Sequence, residues 1–158
     1  MESREDGIIK RVVSDAEDLE TEFHNLGELD YQLVKVHLFA ERLLDRLIAS
    51  QLHDASQLLK KGHLNFHQKY LLVRAFGVLN QQATDGLKKL NEVRNKVVHD
   101  IGFHVGEADV ELIGRTQGRR YTAIKNEHSD FLPGQLWEVA KLICIGLSAT
   151  LHNTDRTD

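Results

Sequence analysis

The chain has 158 residues, 41% apolar, 28% charged and 6% aromatic, with one Pro and one Cys. That balance describes a single globular domain able to bury a sizeable core, excludes a disordered chain, and favours helices over a sandwich or barrel. One cysteine, Cys144, excludes a disulfide framework and a cysteine-based metal cluster; with no membrane-length apolar run and no secretory leader, the expectation is a cytoplasmic protein needing no membrane, metal or cofactor.

The net charge of −4 is unevenly spread. Residues 1–30 hold ten acids against Arg4, Lys10 and Arg11, which leaves the rest of the chain at +3. The simple expectation is a solvated acidic first helix. A mildly basic body neither demands nor forbids RNA.

Residues 1–13 read as a frayed start. Ser14-Asp15-Ala16-Glu17 resembles a capping box and predicts a short helix to about Leu26, ended by Gly27. Leu29, Leu33, Val36, Ala40, Leu43 and Leu47 then recur at spacings of four and three, widened by Leu44 and Ile48, which predicts a helix to about Leu52. A turn or short helix covers Ala55–Lys61, stopped by Gly62. Asn65 caps the next helix, with Tyr70, Leu71, Val73, Phe76 and Leu79 on its buried side. Thr84 or Asp85 starts a helix bearing Leu87, Leu90, Val93, Val97 and Val98, and Gly102 and Gly106 break the pattern. Asp109–Gly114 fits a helical turn or a strand, and Gln117-Gly118 followed by Arg119–Lys125 suits a small hairpin. Pro133-Gly134 restarts the chain before a final helix over Leu136–His152, with residues 153–158 as a tail. The expectation is one all-α domain over residues 1–158: an up-and-down bundle of four main helices, plus short helices and one small hairpin.

The chemistry concentrates in Arg94-Asn95-Lys96-Val97-Val98-His99, which pairs an obligate cation with a group that titrates near neutral pH. Helical geometry puts Arg94 in line with Leu87, Leu90, Val97 and Val98, on an apolar face where an unpaired guanidinium is costly. Either Glu41, Asp45 or Glu92 neutralises it, or it lines an anion-binding crevice. Asn95 and His99 lie about 100° and 140° around the helix from Arg94, with the Arg and His about 7.5 Å apart along its axis. Their convergence is expected to need a helix end near Val98 or a second copy across a dimer interface. A purely structural role competes, because the macrodipole favours a His at a helix C-terminus and an Arg in a bundle seam is usually ion-paired. His63 and His67 stand four apart at a helix start with no nearby carboxylate, a spacing read as adventitious rather than metal-binding. His24, His37, His53 and His152 read as helix-end or polar-face residues, and Trp137 as core or dimer interface.

The run Leu90-Asn91-Glu92-Val93-Arg94-Asn95-Lys96-Val97-Val98-His99-Asp100 resembles the signature of HEPN domains, small all-helical bundles that often dimerise. Their motif is an Arg, a polar residue, a short spacer and a His, and Arg94, Asn95 and His99 fit the three positions. Phe76-Gly77-Val78-Leu79-Asn80 and His37-Leu38-Phe39-Ala40-Glu41-Arg42-Leu43-Leu44 are similar to a HEPN-like branch, the mannitol operon repressor family. The similarity spans about residues 30–115.

The resemblance implies a homodimeric, metal-independent endoribonuclease, a toxin or defence component acting on RNA. Within it, His99 would be the general base toward a 2′-OH, and Arg94 would stabilise the phosphorane-like transition state. Asn95 would orient His99 or bond a phosphate oxygen, and the products would carry a 2′,3′-cyclic phosphate and a 5′-OH. Arg115, Arg119, Arg120 and Lys125, with Tyr121 interleaved, would extend an RNA-binding track, against the simpler reading of a solvated loop. The alternative is a non-catalytic transcriptional regulator of the mannitol-repressor type that acts through a protein partner, since no helix-turn-helix reader is present. An antitoxin-like partner of a HEPN toxin is a third reading.

Overall fold

The seam predicted from Leu29 onward becomes the buried stripe of a 23-residue helix in the computed structural model, which describes residues 4–24 and 29–154. The described residues form eight α-helices and no strand: α1 (Arg4–His24), α2 (Leu29–Gln51), α3 (Ala55–Lys61), α4 (Phe66–Ala75), α5 (Gln81–His99), α6 (Glu107–Gly114), α7 (Arg119–Glu127) and α8 (Leu132–Thr154). A single 3-10 turn, Arg115–Gln117, links α6 to α7. The four long helices are α1, α2, α5 and α8, as a helical bundle requires.

Helix α8 is the central strut. It packs against α1, α2, α5, α6 and α7, and its apolar side supplies Leu136, Val139, Ala140, Ile143 and Leu147 to the core. Pro133 sits in its first turn, where a missing N–H breaks no helical bond. Cys144 is buried on the same helix, and burial pushes its thiol up to about 12, so it serves as a small apolar residue. No helix among the described residues is long and apolar enough to cross a membrane.

Four sequence expectations need correction. Helix α1 runs from Arg4, so the stretch read as frayed is helical and Ser14-Asp15-Ala16-Glu17 lies in mid-helix rather than at a cap. Gly27 and residues 155–158 lie outside the described residues. The expected hairpin is absent: Gly118, at φ 60°, turns the chain from the 3-10 segment directly into α7. Tyr121 and Ile124, three residues apart, are the buried side of that short helix. Finally, α5 starts earlier than Thr84, because Asn80 Oδ1 accepts from Ala83 N at 2.8 Å and caps it.

Two histidines assigned to helix ends or polar faces are core residues. His37 is in the middle of α2 and 2% exposed. His152 is in the last turn of α8 yet buried, and its Nε2 lies 3.3 Å from Asp15 Oδ2. Asp15 also accepts from Ser148 Oγ, and from Arg46 at 2.9 Å through its other oxygen. The acidic first helix is therefore riveted to α2 and α8 by one carboxylate, with Leu19 buried a turn further on. Burial works against charge on Asp15, but the bonds from Ser148, Arg46 and His152 outweigh it and hold the carboxyl below its ordinary value.

Candidate functional site

Asn65 starts α4 with a full capping box: its Oδ1 accepts from Gln68 N at 3.0 Å, and Gln68 Oε1 accepts from Asn65 N at 2.9 Å. This fixes the first turn of α4 beside the C-terminal half of α5. Between them lies an open crevice of about 270 Å³. Asn65, Phe66 and His67 form the α4 wall. The α5 wall is Asn91, Arg94, Asn95 and His99. All three motif residues thus line one cavity within a single chain.

Helix α5 is continuous through His99, and Asp100 N donates to Lys96 O, so no break after Val98 brings the residues together. The reach of the arginine does. Asn91, Asn95 and His99 are spaced by four, so each is displaced only about 40° from the last and they form one stripe. Arg94 Nη1 donates to Asn95 Oδ1 at 3.2 Å, which swings the guanidinium onto that stripe. The expectation that convergence needs a second subunit is corrected on this point. Asn95 orients Arg94 through this bond.

None of the acids proposed for Arg94 pairs with it. Glu41 and Asp45 are both held by Lys69, at 2.8 and 2.9 Å, and Glu92 pairs with Lys89 at 2.7 Å. Burial opposes the Lys69 charge, but the bonds it donates to the two carboxylates outweigh this and raise its pKa above the ordinary lysine value. Arg94 Nε is buried with no hydrogen-bond partner. A guanidinium that lines an open cavity with no carboxylate paired to it is the arrangement an anion would complete.

Behind the crevice, His37 stacks on Phe66 with ring centroids 4.0 Å apart. Burial lowers its pKa to about 4; the bond to Asn91 and the Glu41 charge oppose this, while the Arg94 charge adds to it. The imidazole is therefore neutral at pH 7. Its Nε2 lies 3.0 Å from Asn91 Oδ1, and its Nδ1 is buried without a partner. A bare lone pair at Nδ1 is cheaper to bury than an orphan N–H, so the Nε2–H tautomer donates to Asn91. Asn91 then has its oxygen engaged and its amide N–H groups free for the crevice it lines.

The four basic residues proposed as an RNA track are not gathered at this crevice. Arg115 donates to Glu111 at 2.7 Å, and Lys125 lies 3.4 Å from the same carboxylate. Arg120 lines a different crevice with Gln82, Ala83 and Gln117, at the opposite end of α5. Residue 83 is roughly 16–24 Å along the helix axis from residues 94–99. Arg119 is exposed beside it on α7. Tyr121 is 5% exposed and packed so closely on Gly114 that a Cβ there would overlap its ring, so it offers no face to a base.

His67, set aside as half of an adventitious pair, lies in the crevice. His63 precedes the helix in a left-handed loop conformation, so the two are not stacked by a helical turn. Among the described residues no three His, Cys, Asp or Glu side chains cluster as metal ligands. Asn91 and His37 were also missed. The signal for Asn91 was in the sequence, four residues before Asn95; that for His37 required knowing that α2 backs the crevice.

A somewhat larger crevice, about 290 Å³, lies between α1 and α2. Its Arg46 is tied to Asp15, and Asp18 shares the lining with Arg42, so opposite charges are interleaved there rather than left for a ligand. Comparison with family models, with curated proteins and with solved structures returns no match for this chain.

Proposed function

We propose that the α4–α5 crevice binds the phosphodiester backbone of RNA and cleaves it by attack of the neighbouring 2′-OH. The observation that carries this reading is the convergence of Arg94, Asn95 and His99 on one cavity, with the guanidinium free of any carboxylate. The resemblance to HEPN domains points to the same three residues. At about 270 Å³ the cavity is smaller than the roughly 300–1,000 Å³ of pockets that enclose a drug-sized ligand. It suits a phosphate and its two ester oxygens better than a whole nucleotide.

RNA brings its own nucleophile, so the protein must hold the phosphate and move protons. Arg94 and the Asn91 amide stabilise charge on the non-bridging oxygens as the phosphorane forms. Asn95 keeps the guanidinium aimed, and His99, exposed at the end of α5, exchanges a proton with the reacting oxygens. The products carry a 2′,3′-cyclic phosphate and a 5′-OH. One chain supplies this whole set. Pairing with a second copy, as the resemblance implies, would place two such crevices on one RNA.

The test is incubation of purified protein with RNA in EDTA, with 3′-end analysis of the products. Cleavage is expected, falling by about 10²–10⁴ in His99→Ala. Absence of cleavage by the wild type, or equal cleavage by His99→Ala, overturns the proposal.

A further inference from the structure

Cleavage through the 2′-oxygen forms a P–O2′ bond, breaks the P–O5′ bond and requires two proton transfers. One proton leaves the 2′-OH, and another must reach the departing 5′-oxygen. In an in-line displacement these oxygens occupy opposite sides of phosphorus. An imidazole within hydrogen-bond reach of one is therefore badly placed for the other. The motif supplies a single imidazole, His99, on the α5 wall. The α4 wall supplies another, His67.

His67 is the second residue of α4, and the capping box between Asn65 and Gln68 brackets it, so its backbone is held in place. Its side chain is exposed and makes only a ring contact with Tyr70, centroids 6.0 Å apart. Among the described residues no carboxylate or carbonyl engages either of its nitrogens. Arg94 lines the same cavity as the two histidines, as a guanidinium that can hold the phosphate between the two walls.

We infer that His67 is a second catalytic imidazole and that it divides the two proton transfers with His99. One takes the 2′-OH proton as the P–O2′ bond forms; the other, protonated, gives its proton to the 5′-oxygen as the P–O5′ bond breaks. After one turnover the pair has exchanged protonation states and is reset by exchange with water. This rests on the RNA-cleavage reading.

The experiment compares wild type, His67→Ala and His99→Ala on two RNA oligonucleotides. In one the scissile linkage is normal; in the other sulfur replaces the bridging 5′-oxygen, giving a leaving group that departs without protonation. On normal RNA each variant is expected to lose about 100-fold or more. On the sulfur-bridged RNA one variant recovers most of the wild-type rate and the other does not, and the recovered variant identifies the acid. Thermal melts of the two variants should match the wild type, since both side chains are exposed. The inference is overturned if His67→Ala cleaves normal RNA within about threefold of wild type while His99→Ala is inactive, or if neither variant is rescued. If the wild type cleaves neither oligonucleotide, the RNA-cleavage reading itself fails and takes this inference with it.

Discussion

Two of the polar clusters that interrupt the apolar core are built to different plans. At the α1–α8 end, Asp15 has both oxygens engaged, one by Arg46 and the other by Ser148 and His152. At the α4–α5 end, His37 engages Asn91 and Asn95 engages Arg94, yet no carboxylate among the described residues pairs with the guanidinium, which lines an open cavity, and Arg94 Nε has no hydrogen-bond partner. The first cluster consumes the charge of its carboxylate internally and joins three helices, leaving His152 Nδ1 unmatched in the core. The second is half a network. Buried donors carry a cost when unmatched, so a network left incomplete next to solvent marks a place for a ligand.

Exchanging the roles of the clusters is the strongest way to break this contrast. Arg94→Ala should lower RNA cleavage by about 10²–10³, the scale of losing a key donor to transition-state charge. Asp15→Ala should leave the cleavage rate of the folded protein unchanged. It should instead lower stability by about 1–3 kcal/mol, read by denaturant unfolding, because Ser148 and His152 lose their acceptor. Equal effects of the two substitutions on cleavage would erase the distinction.

Acid titration sharpens it further. His37 takes up a proton near pH 6.5 when unfolded but only near pH 4 when folded, so the unfolded chain binds more protons between those values. Stability contributed by neutral His37 is present above about 6.5 and is lost as the pH falls toward 4, by at most about 3 kcal/mol. Asp15 has the same sign in a lower window: its lowered pKa contributes stability above the ordinary carboxylate range, lost as the pH falls below about 4. Unfolding curves across pH should show two separate windows, with His37→Phe removing the upper and Asp15→Asn the lower. The smallest effect is expected at the far end of α5. Arg119→Ala with Arg120→Ala should change cleavage by no more than about twofold, because exposed charges more than a Debye length from the crevice are largely screened.

Patterns confined to one helix were legible from the sequence. The α2 seam, the Gly62 stop and the Asn65 cap each depend on residues a few positions apart. So does the set Arg94, Asn95 and His99. Placement across the bundle was not legible. His37 and Asn91 are 54 residues apart, and Asp15 and His152 are 137 apart, so neither partnership leaves a local trace. Helix α7 was missed because Arg119–Glu127 buries only Tyr121 and Ile124, too few apolar positions to declare a period, while Gly118 mimics a hairpin turn. Arg94 and His99 diverge in Cα direction, and the length of the arginine side chain lets its guanidinium reach Asn95 on the neighbouring stripe.

Lys69 bears on the crevice although it does not line it. It bridges α4 to two acids of α2, and one of these, Glu41, shares with Arg94 an electrostatic influence on His37. Glu41 is thus a carboxylate that acts on the same imidazole as Arg94. The Lys69 ammonium holds Glu41 at 2.8 Å, and no carboxylate among the described residues pairs with Arg94. On the proposed reading, a change at position 69 would release Glu41 and Asp45 behind the crevice wall, and Lys69→Ala is expected to weaken anion binding while every residue lining the crevice stays the same.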